Sequence, residues 1–564
     1  MRWWECVFVL LALAVAACLR LQHLDATAFS VDEINDLVVA DQPLARLPAA
    51  VARQTGATPL HALLTHWIIR RHGRSEQPAR ALAAAFGALT VVAMFVAGRV
   101  LFGQAPWIAI ALLVISAPHI SAGREVQAAA LSGLLSTVLL AAAAHGLQAP
   151  SRGAWVVLVI SGALALYGHY GAALVWAAVI IVSFIAWWGR ALSTRALLFV
   201  ATAAAAALLW FTPWLWLDYH GGRGGALFVT RVTPATFTAL AQRLAAGTQR
   251  LPPYWGLILA AAAGLGVLRG VVQRRLASAL LSTGIAFAVA GTLIATSALP
   301  YPFDPHQVLF VLPLYLLLAG RGFEWALTPA PSRVQPWLTA AAAAAVVAAG
   351  GWVLRAPTGP AGPDWRAVAA VVGNNAWAED TVAAPEVREA LLFYAPALRR
   401  QLLPEMPARL LASALPKGPR SWLVVPLSVR LGAAWPQLMP WSKDANVLDL
   451  SAGNDPLILY AGRTGRDQLL REVATFDLPV ASLARGSWLR ELLQLTGPLR
   501  PLLRFIDQLA AAPEGAKLRN PELLGVVSLL ARNGERDRAR ALAARLAQEE
   551  PDWLEAQQAL AALQ

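Results

Sequence analysis

Long apolar runs separated by short polar turns dominate the first two thirds of the chain. Stretches near 3–21, 82–102, 105–121, 126–147, 153–169, 171–189, 196–217, 254–272, 277–298, 306–326 and 335–354 are apolar. Each approaches the roughly 20 residues an α-helix needs to cross hydrocarbon, so the pattern predicts about eleven spans. The 105–121 run is the shortest of them. Arginines in short loops set the orientation: Arg2, Arg152, Arg190, Arg195, Arg269, Arg274, Arg275, Arg321 and Arg333 share one side if the N-terminus is cytoplasmic. The 22–81 segment, the 122–125 turn, the turn at His169, the 218–253 loop, the 299–305 turn and everything after 355 then face outward. Such a chain is expected in a bacterial cytoplasmic membrane as a multi-pass protein with an extracytoplasmic C-terminal domain.

Beyond residue 355 the pattern changes. Pro and Gly cluster in "GGWVLRAPTGPAGPDW", marking a boundary between a 1–354 membrane domain and a globular segment. "DWRAVAAVVGNNAW" has helical periodicity, whereas "TVAAP", "SWLVVPLSV" and "PLILYAG" are short β-like runs between turn formers. They predict a small extracytoplasmic α/β domain within 355–484. From 485 to 564 the pattern is helical. There Leu523, Leu530, Gly534, Ala539 and Pro551 fall where a tetratricopeptide helix pair needs its large, small and turn residues, so the tail resembles one such repeat. A free solenoid needs about three or more units, so the tail reads as a packed helical cap, with binding of a protein partner as the alternative use.

Composition agrees with a membrane chain. Of 564 residues, 57% are hydrophobic and 14% charged, against about 25% charged in soluble domains. The net charge of +13 suits anionic lipid or lipid-phosphate partners, and the apolar bulk argues against nucleic acid. The only cysteines, Cys6 and Cys18, lie in the first apolar run, so no disulfide framework is expected outside the membrane. "VAAC" has the form of a lipoprotein cleavage site, but the preceding "MRWWE" offsets its Arg with Glu5, and an uncleaved first span is the expectation. The 22–81 loop runs against the charge bias with Arg46, Arg53, Arg70, Arg71, Arg74 and Arg80. Within it, "HALLTHWIIRRHG" has the spacing of a helix lying along the interface, where its basic end either meets a headgroup or snorkels.

Just past the first span stands "FSVDEINDL". Ser30 and Glu33 form a capping-box pattern, which alone accounts for Glu33. Asp32 is outside that box and one helical turn from Asp36, so the two share a face, although the helix dipole also favours acids in a first turn. Glu125, Arg124, Arg80, His169 and Tyr170 stand at the other outward turns and span ends.

The order of these motifs resembles the C-type glycosyltransferase superfamily, specifically bacterial relatives of protein O-mannosyltransferases and lipid A aminoarabinose transferases. The Asp32-Glu33 pair sits in the first outer loop, as in that family. "ATPLHALLTHWIIRRHG" is similar to the family's His-Pro-Pro-Leu segment at Pro59, Leu60, His66 and Trp67, with Ala57 and Thr58 replacing the His and first Pro. "GREVQAAAL" resembles its Ser-Gln-Glu-Ala-Arg stretch at Glu125, with Gln127 where an Arg is usual. "LYGHYGAAL" resembles its Tyr-Thr-His-Tyr turn at His169 and Tyr170. "FTPWLWL" resembles its Leu-Pro-Trp helix end, and "PHQVLFVLPLYLLLAGRG" a late helix whose usual Arg-Tyr is here His306-Gln307.

The resemblance implies a polytopic helical fold and inverting transfer of a sugar from a polyprenyl-phosphate carrier to a lipid, polysaccharide or protein acceptor at the outer interface. It casts Asp32 and Glu33 as the catalytic acids, Asp32 as general base and Glu33 or Glu125 helping to position the acceptor or a divalent metal, with Asp36 as a further positioning group; use of the metal stays open because no fixed ligand spacing is present. Arg80, Arg124, His169 and Tyr170 become the groups that meet the departing phosphate, where a guanidinium offers a bidentate fork. The base is expected to share a pocket with these cations. The departures at Ala57, Gln127 and His306 imply a different carrier or acceptor, or lost activity. The alternative is a non-catalytic membrane carrier or scaffold for lipid-linked glycan intermediates. A transporter ordinarily holds ionisable groups at mid-membrane, and the acids are expected to lie outside the spans.

Overall fold

The structure is a computed structural model that describes residues 3–54, 57–220, 254–273, 276–298, 305–327, 363–405, 420–426, 446–451, 456–462, 465–473, 475–476, 520–532, 534–549 and 554–563, with residues 341, 437 and 478. Two compact units emerge. The first comprises Met1–Thr27 and Asn35–Gly359, the second Ala28–Ile34 and Pro360–Gln564.

The first unit is helical. Helix α1 (Trp3–Leu21) is followed by α2 (Val31–Ala40), α3 (Leu47–Ala52), α4 (Pro59–His72) and α5 (Glu76–Phe102). Next come α6 (Trp107–Ile115), α7 (Ala117–Ala122), α8 (Ala129–Gln148), α9 (Arg152–Gly168), α10 (Ala172–Trp188) and α11 (Thr194–His220). After residue 253 come α12 (Tyr254–Val272), α13 (Leu276–Ala298), a 3-10 segment (Pro305–Val311) and α14 (Leu312–Ala326). Among the described residues five helices, Trp3–Leu21, Glu76–Phe102, Ala129–Gln148, Thr194–His220 and Val308–Ala326, are long and apolar enough to cross a membrane, and the chain is a multi-pass membrane protein. The expected spans land on helices, except 335–354, which apart from residue 341 lies outside the described residues, as does 221–253.

Two expectations need correction. The 105–121 run is not one helix: α6 and α7 are separated at Ser116, whose backbone is extended. Pro118 has no N–H to donate to the carbonyl one turn back, so the helix cannot run through. The spans also do carry acids. Glu5 lies in α1 at 3.4 Å from Arg99, and Glu324 lies in α14 at 2.8 Å from Arg321. Both sit near helix ends and both are paired, which makes them structural ion pairs.

Helix packing depends on small residues where backbones meet. A Cβ on Gly322 of α14 would collide with the Ala262 carbonyl of α12, and one on Gly266 with the Leu318 carbonyl. Glycine at both positions therefore lets α12 and α14 pack backbone against backbone, the usual device between helices that gain nothing by hiding from lipid.

In the second unit, α15 (Trp365–Asn375) is capped by Asp364 and leads to β1 (Thr381–Ala383), α16 (Arg388–Tyr394) and a 3-10 turn (Pro396–Arg400). A four-stranded sheet follows in the order β1-β2-β4-β3, with β2 (Arg420–Val425), β3 (Asn446–Asp449) and β4 (Leu457–Gly462), and then α17 (Arg466–Val473). β1 pairs parallel with β2, while β4 is antiparallel to both β2 and β3. The runs "TVAAP", "SWLVVPLSV" and "PLILYAG" supply β1, β2 and β4, whereas β3 gave no signal in a stretch that mixes Asn, Asp and Leu. Asp380, 4% exposed, ties the sheet together: it accepts from Arg420 Nε, Trp422 Nε1 and the Trp377 N–H, each at 3.0 Å. The Arg420 guanidinium lies 3.4 Å above the Trp377 ring.

The tail forms α18 (Asn520–Arg532), α19 (Arg536–Glu549) and α20 (Leu554–Leu563). Gly534, with φ of 85°, turns α18 into α19, and Leu530 and Ala539 are buried between them. Pro551 lies outside the described residues.

Candidate functional site

The acids of "FSVDEINDL" open α2 as the Ser-x-x-Glu pattern predicts. Glu33 Oε2 accepts from the Ser30 N–H at 2.8 Å and Ser30 Oγ accepts from the Glu33 N–H at 3.2 Å, which satisfies two donors at the helix start. That use buries Glu33 to 1% exposure. Asp32 is exposed and stands outside the box; Asp36, one turn on, is half-buried.

In the first unit, α1, α5 and α7 hold a polar knot that the sequence only partly announces. Arg20, wholly buried near the end of α1, donates from Nη1 to the Ala16 carbonyl at 3.1 Å, and from Nη2 to the Leu113 carbonyl at 3.2 Å and to His119 Nδ1 at 2.8 Å. Because arginine only donates, His119 Nδ1 is the acceptor and its proton is on Nε2. A Cβ on Gly87 or Gly123 would fall within 2.9 or 3.1 Å of the Arg20 side chain, so the two glycines form the slot that admits it. Arg124 answers from the other direction, donating from Nη2 to the Leu19 carbonyl at 2.6 Å. The two arginines thus clasp α1 to the α6–α7 break and to the turn that follows it. Arg124 is half-buried, which holds its guanidinium below the usual range.

That turn carries Glu125, which accepts from Ser121 Oγ at 2.6 Å. Arg124, Glu125, His119 and Arg20 are therefore gathered in one place. Arg80 is also buried, but it donates to the Leu24 carbonyl at 2.7 Å and the Thr27 carbonyl at 2.8 Å, bracing the chain as it leaves α1. At the α9–α10 turn, His169 Nδ1 accepts from the Gly171 N–H at 2.9 Å and its ring meets Phe310 at 5.0 Å. Tyr170 accepts from Trp214 Nε1 of α11 at 2.8 Å. The resemblance residue His66 of α4 donates from Nδ1 to the Ala40 carbonyl at 2.7 Å, pinning the end of α2. The opposite face of α4 exposes Leu63 and Trp67 one turn apart ahead of Arg70 and Arg71, the pattern of a helix resting on lipid. His306 and Gln307 lie in the 3-10 segment before α14.

Arg20 and His119 were not singled out from the sequence. An arginine at the edge of an apolar run reads as one that snorkels, and its partners lie 93 and 99 positions away. Glycines at 87 and 123 were the one local trace of the slot. Among the described residues no three His, Cys, Asp or Glu side chains gather as a metal site.

No family model matches the chain, and no curated protein matches it in sequence. Solved structures do. ArnT from Cupriavidus metallidurans in the apo state aligns with a TM-score of 0.51 at 14% identity, covering 81% of this chain and 97% of that one. The same protein bound to undecaprenyl phosphate gives 0.47 at 14% identity over 81% and 98%. The archaeal oligosaccharyltransferase AglB from Archaeoglobus fulgidus, in complex with an inhibitory peptide and a dolichol-phosphate, gives 0.49 at 10% identity over 98% and 87%. The first of these likenesses shows the fold: the chain shares the architecture of ArnT.

Proposed function

We propose that the chain is an inverting glycosyltransferase that moves a sugar from a polyprenyl-phosphate carrier to an envelope acceptor on the outer face of the cytoplasmic membrane. The observation that carries this reading is the likeness to ArnT, an aminoarabinose transferase, over nearly the whole of that protein. It coincides with an acid pair in the first loop whose two members are differently employed.

The acceptor oxygen forms its bond to the anomeric carbon as the carbon–phosphate oxygen bond breaks, and that electron pair leaves with the lipid phosphate. The acceptor's proton passes to a carboxylate. Glu33 is occupied by the cap, so Asp32, exposed in the same first turn, is the base. A carboxylate is a weak base, which suffices where the hydroxyl proton leaves late, as oxocarbenium-like transition states allow. Glu33 sets the helix start, and Asp36 and Glu125 position the acceptor. The charge that develops on the phosphate calls for fixed cations; Arg124 is the principal one, with Arg80, His169 and Tyr170 shaping the surrounding backbone.

The test is turnover of a panel of undecaprenyl-phosphate-linked sugars by the purified protein, followed by release of undecaprenyl phosphate and by the anomeric configuration of the product. Inverted product, and its loss in Asp32→Asn, is the expected result. Retained configuration or undiminished turnover in that variant would overturn the assignment, and lipid binding without any turnover would favour a carrier.

A further inference from the structure

The segment that carries Asp32 belongs to the C-terminal unit, which comprises Ala28–Ile34 together with Pro360–Gln564. What holds it there is specific. The Phe29 N–H donates to Tyr394 Oη at 2.8 Å, and the wholly buried Phe29 ring meets Phe393 edge-on, with centroids 5.7 Å apart and planes at 88°. Phe393 and Tyr394 are the last residues of α16, and their own rings pack edge to face at 5.1 Å. The helix is itself well seated: Ala390 and Leu391 are fully buried, and Arg388 Nε donates to the Leu403 carbonyl at 3.2 Å.

Phe29 is the residue before the cap and Ile34 the fourth helical position, the two sites of a hydrophobic staple, and both are buried. The staple and the Ser30–Glu33 box fix how the chain enters α2, and Asp32 lies between them. A backbone amide held at Phe29 therefore sets the direction in which the next turn presents its carboxylate.

We propose that Tyr394, assisted by Phe393, is a positioning residue for Asp32, so that the C-terminal domain aims the base in addition to completing the fold. This rests on Asp32 being the base. Tyr394 acts through the Phe29 amide and the helix cap.

The experiment uses the full-length protein in nanodiscs, with Tyr394→Phe, which keeps the ring and removes only the hydroxyl. Hydrogen exchange is followed in peptides covering 28–34 and, as a control, β2. The expected result is exchange about tenfold faster at the Phe29 amide, as loss of one hydrogen bond allows, with β2 unchanged. With the donor that turns over in the undecaprenyl-phosphate panel, kcat should fall several-fold at constant donor KM, and Phe393→Leu should give a milder version of both effects. Unchanged exchange at Phe29, or faster exchange throughout β2, would overturn the proposal, the latter by making Tyr394 a general stability residue. Unchanged kcat in Tyr394→Phe alongside an inactive Asp32→Asn would also overturn it. If Asp32→Asn is fully active while Phe29 loosens as expected, the failure lies in the base assignment and the aiming role falls with it, leaving a structural tether.

Discussion

Removing the Arg20 side chain is the sharpest test of the knot that joins α1 to the α6–α7 break. In Arg20→Ala three hydrogen bonds from a charged donor are lost, to Ala16, Leu113 and His119. Bonds of this kind are worth about 1.5–3 kcal/mol each, a gross loss of roughly 5–9 kcal/mol. Burying a guanidinium costs several kcal/mol of hydration, and that cost is recovered when it is removed. The Ala16 carbonyl keeps its helical partner and the Leu113 carbonyl still accepts from Ser116, which limits the penalty further. The balance is a destabilisation of about 3 kcal/mol, or a fall of roughly 6 °C in melting temperature at about 2 °C per kcal/mol for a large chain. Tryptophan fluorescence of the detergent-solubilised protein during heating reads this directly, since the chain has 22 tryptophans. Arg20→Lys, with a single ammonium in place of a fork, should recover less than half of the loss. Because Leu113 and His119 flank the break, exchange should rise over 113–125, and turnover should fall through Glu125. A melting temperature within one degree of the parent protein (about 0.5 kcal/mol on the same scale) would show that the knot is not holding these helices.

Glu33→Gln should melt and turn over close to the parent protein, because an amide oxygen can still accept the Ser30 N–H, whereas Glu33→Ala should lose about 1–2 kcal/mol of stability with the cap; thermal melts of both variants check this. Asp380→Asn takes from the buried Arg420 guanidinium the nearer of its two carboxylates, leaving Glu472 at 4.0 Å, and should destabilise the C-terminal unit by about 3 kcal/mol, seen as proteolysis of that unit at temperatures where the parent chain survives. His61, buried in α4, is held at about 4, below its ordinary 6.5, by burial. At pH above 6.5 it is neutral whether folded or unfolded; below that the unfolded chain takes up the proton first. Stability should therefore decline as pH falls from 6.5 to 4, by about 3 kcal/mol in all, and His61→Gln should flatten that part of the melting-temperature profile.

Much of the fold was legible because its causes are local. A span needs a run of apolar residues, a capping box needs Ser30 and Glu33 three apart, and β1, β2 and β4 need short β-branched runs between turn formers. The break at Ser116 was also written locally, in Pro118, but a continuous apolar run hid it. The organisation of the site was far less legible. Arg20 pairs with groups about a hundred residues away through a slot made by two glycines, and a lone arginine at a helix end carries no sign of such partners. Phe29 looked like a residue ahead of a cap, and nothing near it in sequence pointed to Tyr394, 365 positions on. Arg80 shows another side of this: its charge was legible in the sequence, whereas its bonds to the carbonyls of Leu24 and Thr27, more than fifty positions earlier, were not.

The central claim is that this chain transfers a sugar from a lipid phosphate with Asp32 as the base. Mass spectrometry of envelope glycolipids, polysaccharides and glycoproteins from a deletion strain, complemented with either the parent gene or Asp32→Asn at equal protein levels, addresses it most directly. The account predicts one sugar modification that disappears on deletion, returns with the parent protein and stays absent with Asp32→Asn. A modification restored equally by both would contradict it.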